Sequence, residues 1–137
     1  MTIWHPWRWA RDHHPDVVID CTRRLPGGVL GLVGERTVWL HRGLTQRDRR
    51  STLTHELLHI EFPEASEAWV ERETARRLIT LEQLVDAFAW LRHPTIEALA
   101  DHLWVDQQTA ANRMQHLDPI EVAEIEAACD GDWSWAA

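Results

Sequence analysis

The run His55-Glu56-Leu57-Leu58-His59 restricts this chain more than any other stretch. Its spacing has chemical meaning on a helix, where residues i and i+4 share a face and both imidazoles reach one cation. Glu56 then stands beside that cation, where a carboxylate can take a proton from water as the water attacks a carbonyl. A zinc-dependent peptidase needs this arrangement. The competing reading is a surface helix whose histidines coincide. Leu53, Leu57, Leu58 and Ile60 argue against it, because they mark a buried helix. Histidines on an apolar face are costly to bury without partners.

The surrounding residues define that helix. Thr45 is placed to cap it, with Asp48 three positions on as an acidic variant of the capping box. The helix runs to about Glu61, and Pro63 ends it or opens the next one. A return helix follows from Pro63 to about Thr80, with Trp69, Val70, Leu78 and Ile79 at helical spacing.

A zinc site needs a third protein ligand. An H-x-x-G-x-x-H extension is absent, since Phe62 stands three residues after His59. The ligand therefore comes from the return helix, whose acids are Glu64, Glu67, Glu71 and Glu73. With Pro63 near the first helical position, Glu67 lies about 6 Å along the axis. We assign Glu67 as ligand and Glu71 as the carboxylate that orients a ligating histidine. The reverse assignment stays open, and a solvated acid is the alternative for each. Zinc is the expected metal, and manganese also suits a His-His-Glu set.

Upstream, residues 1–16 hold three Trp, three His and two Pro, and read as an irregular arm that packs its indoles on the body. His5, His13 and His14 are potential ligands, with surface or capping roles favoured. Asp16 to Asp20, Val29 to Val33 and Thr37 to Leu40 read as strands, the last two joined by a hairpin at Gly34-Glu35. A small antiparallel sheet is thus expected before the metal helix. Thr37–Leu40 is the strand closest to that helix in sequence, and as an edge strand it could hold an extended peptide by strand addition.

Downstream, helices are expected over Leu81–Leu91, Ile96–Leu103, Gln107–Leu117 and from Pro119 to about Ala128, followed by a loose tail at 131–135. Ala98 to Met114 looks like a helix-turn-helix. Gln107, Gln108, Thr109, Asn112 and Arg113 would face outward, where they could read base edges. Trp104 occupies the turn position that usually takes Gly at positive φ. A helical unit that buttresses the first part or binds a partner is favoured over DNA binding. His93, His102 or His116 could supply an electrophile, and no spacing selects among them. The fold class is α+β, with a domain over 1–80 and a helical subdomain over 81–137.

Charge agrees. Residues 1–60 carry nine Arg against six acids (+3), and residues 61–137 five Arg against sixteen acids (−11). An acidic C-terminal half opposes a sequence-independent grip on phosphates. No apolar run reaches the length of a membrane span and no signal peptide is expected. Cys21 and Cys129 stand far apart, which fits a reducing cytoplasm better than a disulfide framework.

From Arg49-Arg50-Ser51-Thr52-Leu53-Thr54 through His59, then Glu67 through Ala75-Arg76-Arg77-Leu78-Ile79, the chain resembles the ImmA/IrrE-type metallopeptidases, especially short actinobacterial and actinophage members. The resemblance covers roughly residues 15–80. It implies a small sheet, an H-E-x-x-H helix and a Glu-bearing helix, and aligns Glu67 with the family's Glu ligand. It departs in the very short link after His59, in Glu71 where the family has Asn or Asp, and in lacking Pro after Ile79. Members of the family cleave, or help remove, a repressor protein, in phage and mobile elements beside the immunity repressor gene. The resemblance thus implies a narrow metallo-endopeptidase with a repressor-like substrate. The alternative is a non-catalytic module that binds a repressor or DNA, including a toxin–antitoxin component.

Overall fold

The computed structural model describes residues 3–136, which form an α+β fold with seven helices and one three-stranded sheet. The chain's contacts group into two compact units, one over Trp4–Val70 and the other from Glu71 onward together with Ile3.

The first unit opens with a helix, α1 (Pro6–His13), where an irregular arm was expected. Its start explains the difference. Pro6 sits at the first helical position, where a missing N–H costs nothing. The His5 imidazole accepts a hydrogen bond from the Arg8 amide at 3.2 Å and caps the helix. The indoles do pack on the body: Trp7 and Trp9 lie against a core of Ala10, Val38, Leu40, Leu53 and Leu57. Trp4 Nε1 donates to Thr54 Oγ1 at 2.8 Å, and Trp9 Nε1 makes a short bond to Glu61.

The strands are β1 (Val18–Asp20), β2 (Gly31–Val33) and β3 (Thr37–Leu40), in the order β1-β3-β2. The sheet is mixed rather than antiparallel. The β2–β3 hairpin is antiparallel, with Leu32 opposite Trp39. β1 pairs in parallel with the other side of β3, Ile19 opposite Val38. The chain between Asp20 and Thr37 is long enough to return in the same direction, as a parallel pair requires. β3 is therefore central, with Val38 and Leu40 fully buried, and it offers no free edge. The edge strand packed on the helix that follows is β2.

That helix is α2 (Gln46–Glu61), capped as expected by Thr45, whose hydroxyl accepts from the Asp48 amide at 3.1 Å. The next, α3 (Glu67–Leu78), begins four residues later than expected. Residues 62–65 form a turn closed by the Ala65 amide on the Phe62 carbonyl at 3.0 Å. Ser66 caps the helix instead, accepting from the Trp69 amide at 3.1 Å. A Ser cap outcompetes Pro63 because it satisfies an otherwise orphaned amide.

The second unit contains α4 (Leu81–Leu91), α5 (Ile96–Leu103), α6 (Gln107–Gln115) and α7 (Pro119–Ala128). Thr80, Thr95, Asp106 and Asp118 cap them in turn. Trp104 makes the α5–α6 turn in the left-handed region at φ 56°. Gln107 and Gln108 are exposed, but Arg113, expected to face outward, is 3% exposed. Its guanidinium donates to the Ile79 carbonyl at 2.7 Å and pairs with Glu121. Thr109 is also buried, on Asp106. The surface that would read base edges therefore loses its cation. Nor is the tail loose. Trp133 packs edge-on against Phe88, and His93 bridges Asp132 and Ser134 at 2.8 Å each. No helix among the described residues is long and apolar enough to cross a membrane.

Candidate metal centre

One side of α2 carries Leu53 and Leu57 into the core shared with β3. This fixes the rotation of the helix, and a four-residue step then sets His55 and His59 side by side. Their rings meet edge to face with centroids 4.8 Å apart, and the two Nε2 atoms approach to 3.1 Å. Glu67, the first residue of α3, closes the group. Its Oε1 lies 2.5 Å from His55 Nε2, and its Oε2 3.0 Å from His59 Nε2.

The three ligand atoms lie within 4.8 Å of one another, and among the described residues this is the one such His/Cys/Asp/Glu group. Tetrahedral ligands at zinc distances of about 2.0–2.1 Å stand about 3.3 Å apart. The His55–His59 and His59–Glu67 separations, 3.1 and 3.0 Å, approach that value, whereas His55 and Glu67 stand closer, at the 2.5 Å of a hydrogen bond. At 3.1 Å one imidazole can donate its Nε2–H to the other, or both nitrogens can turn their lone pairs to a shared cation. The histidines keep 23% and 26% of their side-chain surface and Glu67 59%, so water can reach the group.

Glu56 lies on the inner side of the same helix and is 9% exposed. Burial pushes its carboxyl above the ordinary range; His55 and His59 oppose the shift and Glu67 adds to it. Its neighbour in β2 is Gly31, and the reason for glycine is spatial. A Cβ there would stand 2.5 Å from Thr52 Cγ2 and 3.3 Å from Glu56 Cγ. The sheet thus comes as close to the candidate base as a backbone without a side chain permits. Gly31 and Thr52 were not singled out from the sequence, where Gly31 reads as an ordinary strand residue.

The other expected candidates fall elsewhere. Glu71, one helical turn beyond Glu67, is exposed and is not among the three grouped residues. The late start of α3 accounts for this, since it puts Glu67 at the first position of the helix, directly after the turn. His5 is the α1 cap, His13 stacks on Trp9 at 3.6 Å, and His14 pairs with Glu61 at 3.1 Å. His93 is held by the tail, His102 lies 3.9 Å from Asp86, and His116 Nδ1 is 2.8 Å from the Asn112 carbonyl. Both cysteines are free, Cys129 buried and Cys21 half-buried. No family model, curated protein or solved structure matched the chain.

Proposed function

We propose that the chain is a metal-dependent endopeptidase of narrow specificity acting on a repressor-like protein. His55, His59 and Glu67 hold the metal and Glu56 is the general base. The observation that carries this reading is the convergence of the three ligand atoms, with both imidazole Nε2 atoms 3.1 Å apart, on the helix that also presents Glu56. A site that only tied the fold together has no use for that fourth residue. Zinc, or manganese as a substitute, would supply a Lewis acid and a lowered pKa for water at the open position.

The chain's own residues do the rest. Glu56 accepts the proton from the attacking water and passes it to the leaving amine. Its burial keeps the carboxyl poorly solvated and so raises its basicity. β2 offers a place for substrate. The His41 amide donates to the Leu30 carbonyl at 2.7 Å and the Gly34 amide to the Thr37 carbonyl at 2.8 Å, so residues 30, 32 and 34 turn their backbones toward β3. The alternating residues Gly31 and Val33 direct theirs to the open edge. An extended peptide paired there runs past Glu56.

The test is a comparison of wild type, Glu56→Gln and His59→Ala on a repressor-type protein encoded beside this gene. Removal of a general base lowers turnover by roughly 10²–10⁴-fold. Glu56→Gln should lose cleavage and keep its metal, measured by elemental analysis, whereas His59→Ala should lose both. Full biological activity in Glu56→Gln would exclude hydrolysis. It would favour the second reading, a binding module. Trp90, Trp104 and Ile120 support that module, since they leave 79%, 53% and 71% of their surface in solvent on the second unit.

A further inference from the structure

We infer that the link between α2 and α3 forms a subsite that takes an arginine side chain of a peptide ligand. This deepens the peptidase reading and rests on it for the ligand being a peptide. The link borders an open surface depression of about 580 Å³, walled by Phe62, Pro63, Ala65 and Trp69 and rimmed by Glu61 and Glu64. That volume lies within the range of small-ligand sites, roughly 300–1,000 Å³.

Three observations identify the occupant. The first is the aromatic wall. Phe62 keeps 40% of its surface in water and meets Trp69 edge to face at 5.0 Å. An aliphatic stem covers such a wall favourably, and a guanidinium stacks on an indole face. The second is charge. The lining holds two carboxylates and no cationic side chain. Glu61 already accepts from Trp9 and pairs with His14, so the exposed Glu64 is the carboxylate that meets an incoming fork of donors. The third is position. Phe62 follows His59 by three residues and Trp69 follows Glu67 by two, so the cleft is built from the segment that joins the metal ligands. The cleft and the candidate ligands thus share one short segment of chain.

The probe is the zinc-loaded Glu56→Gln protein with the peptides acetyl-Ala-Ala-Xaa-Ala-Ala-amide, Xaa being Arg, Leu or Glu. Binding is followed by calorimetry and by the indole N–H resonances. The Arg peptide should bind at least tenfold tighter than the Leu peptide, bind tighter still relative to the Glu peptide, and shift the Trp69 indole. Glu64→Gln, at an exposed position, should cut the Arg preference below threefold and leave Leu binding unchanged. Equal Arg and Leu affinities, a preference that survives Glu64→Gln, or no binding at all would overturn the subsite. The two readings fail separately. Arg-selective binding with no cleavage by wild type leaves the subsite and removes the peptidase. Cleavage indifferent to Arg does the reverse.

Discussion

At the scale of single residues, the candidate site depends on what is missing at Gly31 as much as on the ligands present. The 2.5 Å approach to Thr52 Cγ2 leaves no space for a methyl group. Gly31→Ala must displace the Thr52 methyl or open the spacing between β2 and α2, beside Glu56 Oε1 at 3.4 Å from the added carbon. Overpacking of this kind costs about 1–3 kcal/mol. We expect Gly31→Ala to lower the unfolding free energy from urea titration by an amount in that range. Thr52→Ser removes the clashing methyl, so the double variant should recover most of the loss. Equal instability of single and double variants would show that the contact with Thr52 is not what selects glycine. The histidines and Glu56 could be read from spacing alone, because a helical period maps directly onto one face. Glu67 was favoured over Glu71 from its distance along the return helix, but the turn at 62–65, set by Ser66 acting as cap, is what brings it beside the histidines. Nothing in the identity of either glutamate announces it.

Elements were legible where a local rule determines them. Thr45, Thr95, Asp106 and Asp118 each precede a helix and cap it, and those starts follow from side chains a few residues away. The pairing of β1 with β3 was not legible, since a hairpin signal specifies only its own two strands. Arg113 was misplaced for a similar reason. An exposed-looking cation in α6 becomes a core residue because Glu121, on the next helix, neutralises it. That pair makes a prediction with a definite pH sign. The Arg113 guanidinium holds the Glu121 carboxyl below its ordinary value of 4.5. A carboxyl depressed in the folded state contributes stability above its unfolded pKa and loses it as pH falls through the folded one. Glu121→Gln leaves Arg113, at 3% exposure, without a counter-charge. Loss of one partner of a buried pair costs about 3–5 kcal/mol. Thermal melts should show the full deficit at pH 7, shrinking below about pH 4 as wild type loses the same charge. A deficit constant from pH 7 to pH 3 would mean that packing, not the ion pair, sets the cost.

For the whole molecule, the candidate metal centre lies entirely within the Trp4–Val70 unit, and the three residues proposed to form it come from two consecutive helices and the turn between them. Closing so short a loop costs little entropy, so a cation there gains its stabilisation locally. His55 and His59 face each other across 3.1 Å, and Glu67 pairs with both. Ligand linkage then gives the size of the response, about 2.7 kcal/mol when free zinc exceeds its dissociation constant a hundredfold. We expect zinc to raise the melting temperature of the chelator-treated protein and EDTA to reverse the rise. His59→Ala and Glu67→Ala should blunt the response, while Glu71→Ala should retain it. Hydrogen exchange should localise it, with added protection in α2 and the first turn of α3 and little change across α4 to α7. The second unit has its own anchors, the Arg113–Glu121 pair and the tail clasped by His93, and neither involves a metal ligand. Protection that rose equally in both units would indicate a general effect of the ion on the surface. Zinc that left exchange in α2 unchanged would mean that the three side chains meet without binding a metal, and the hydrolytic reading would fall with it.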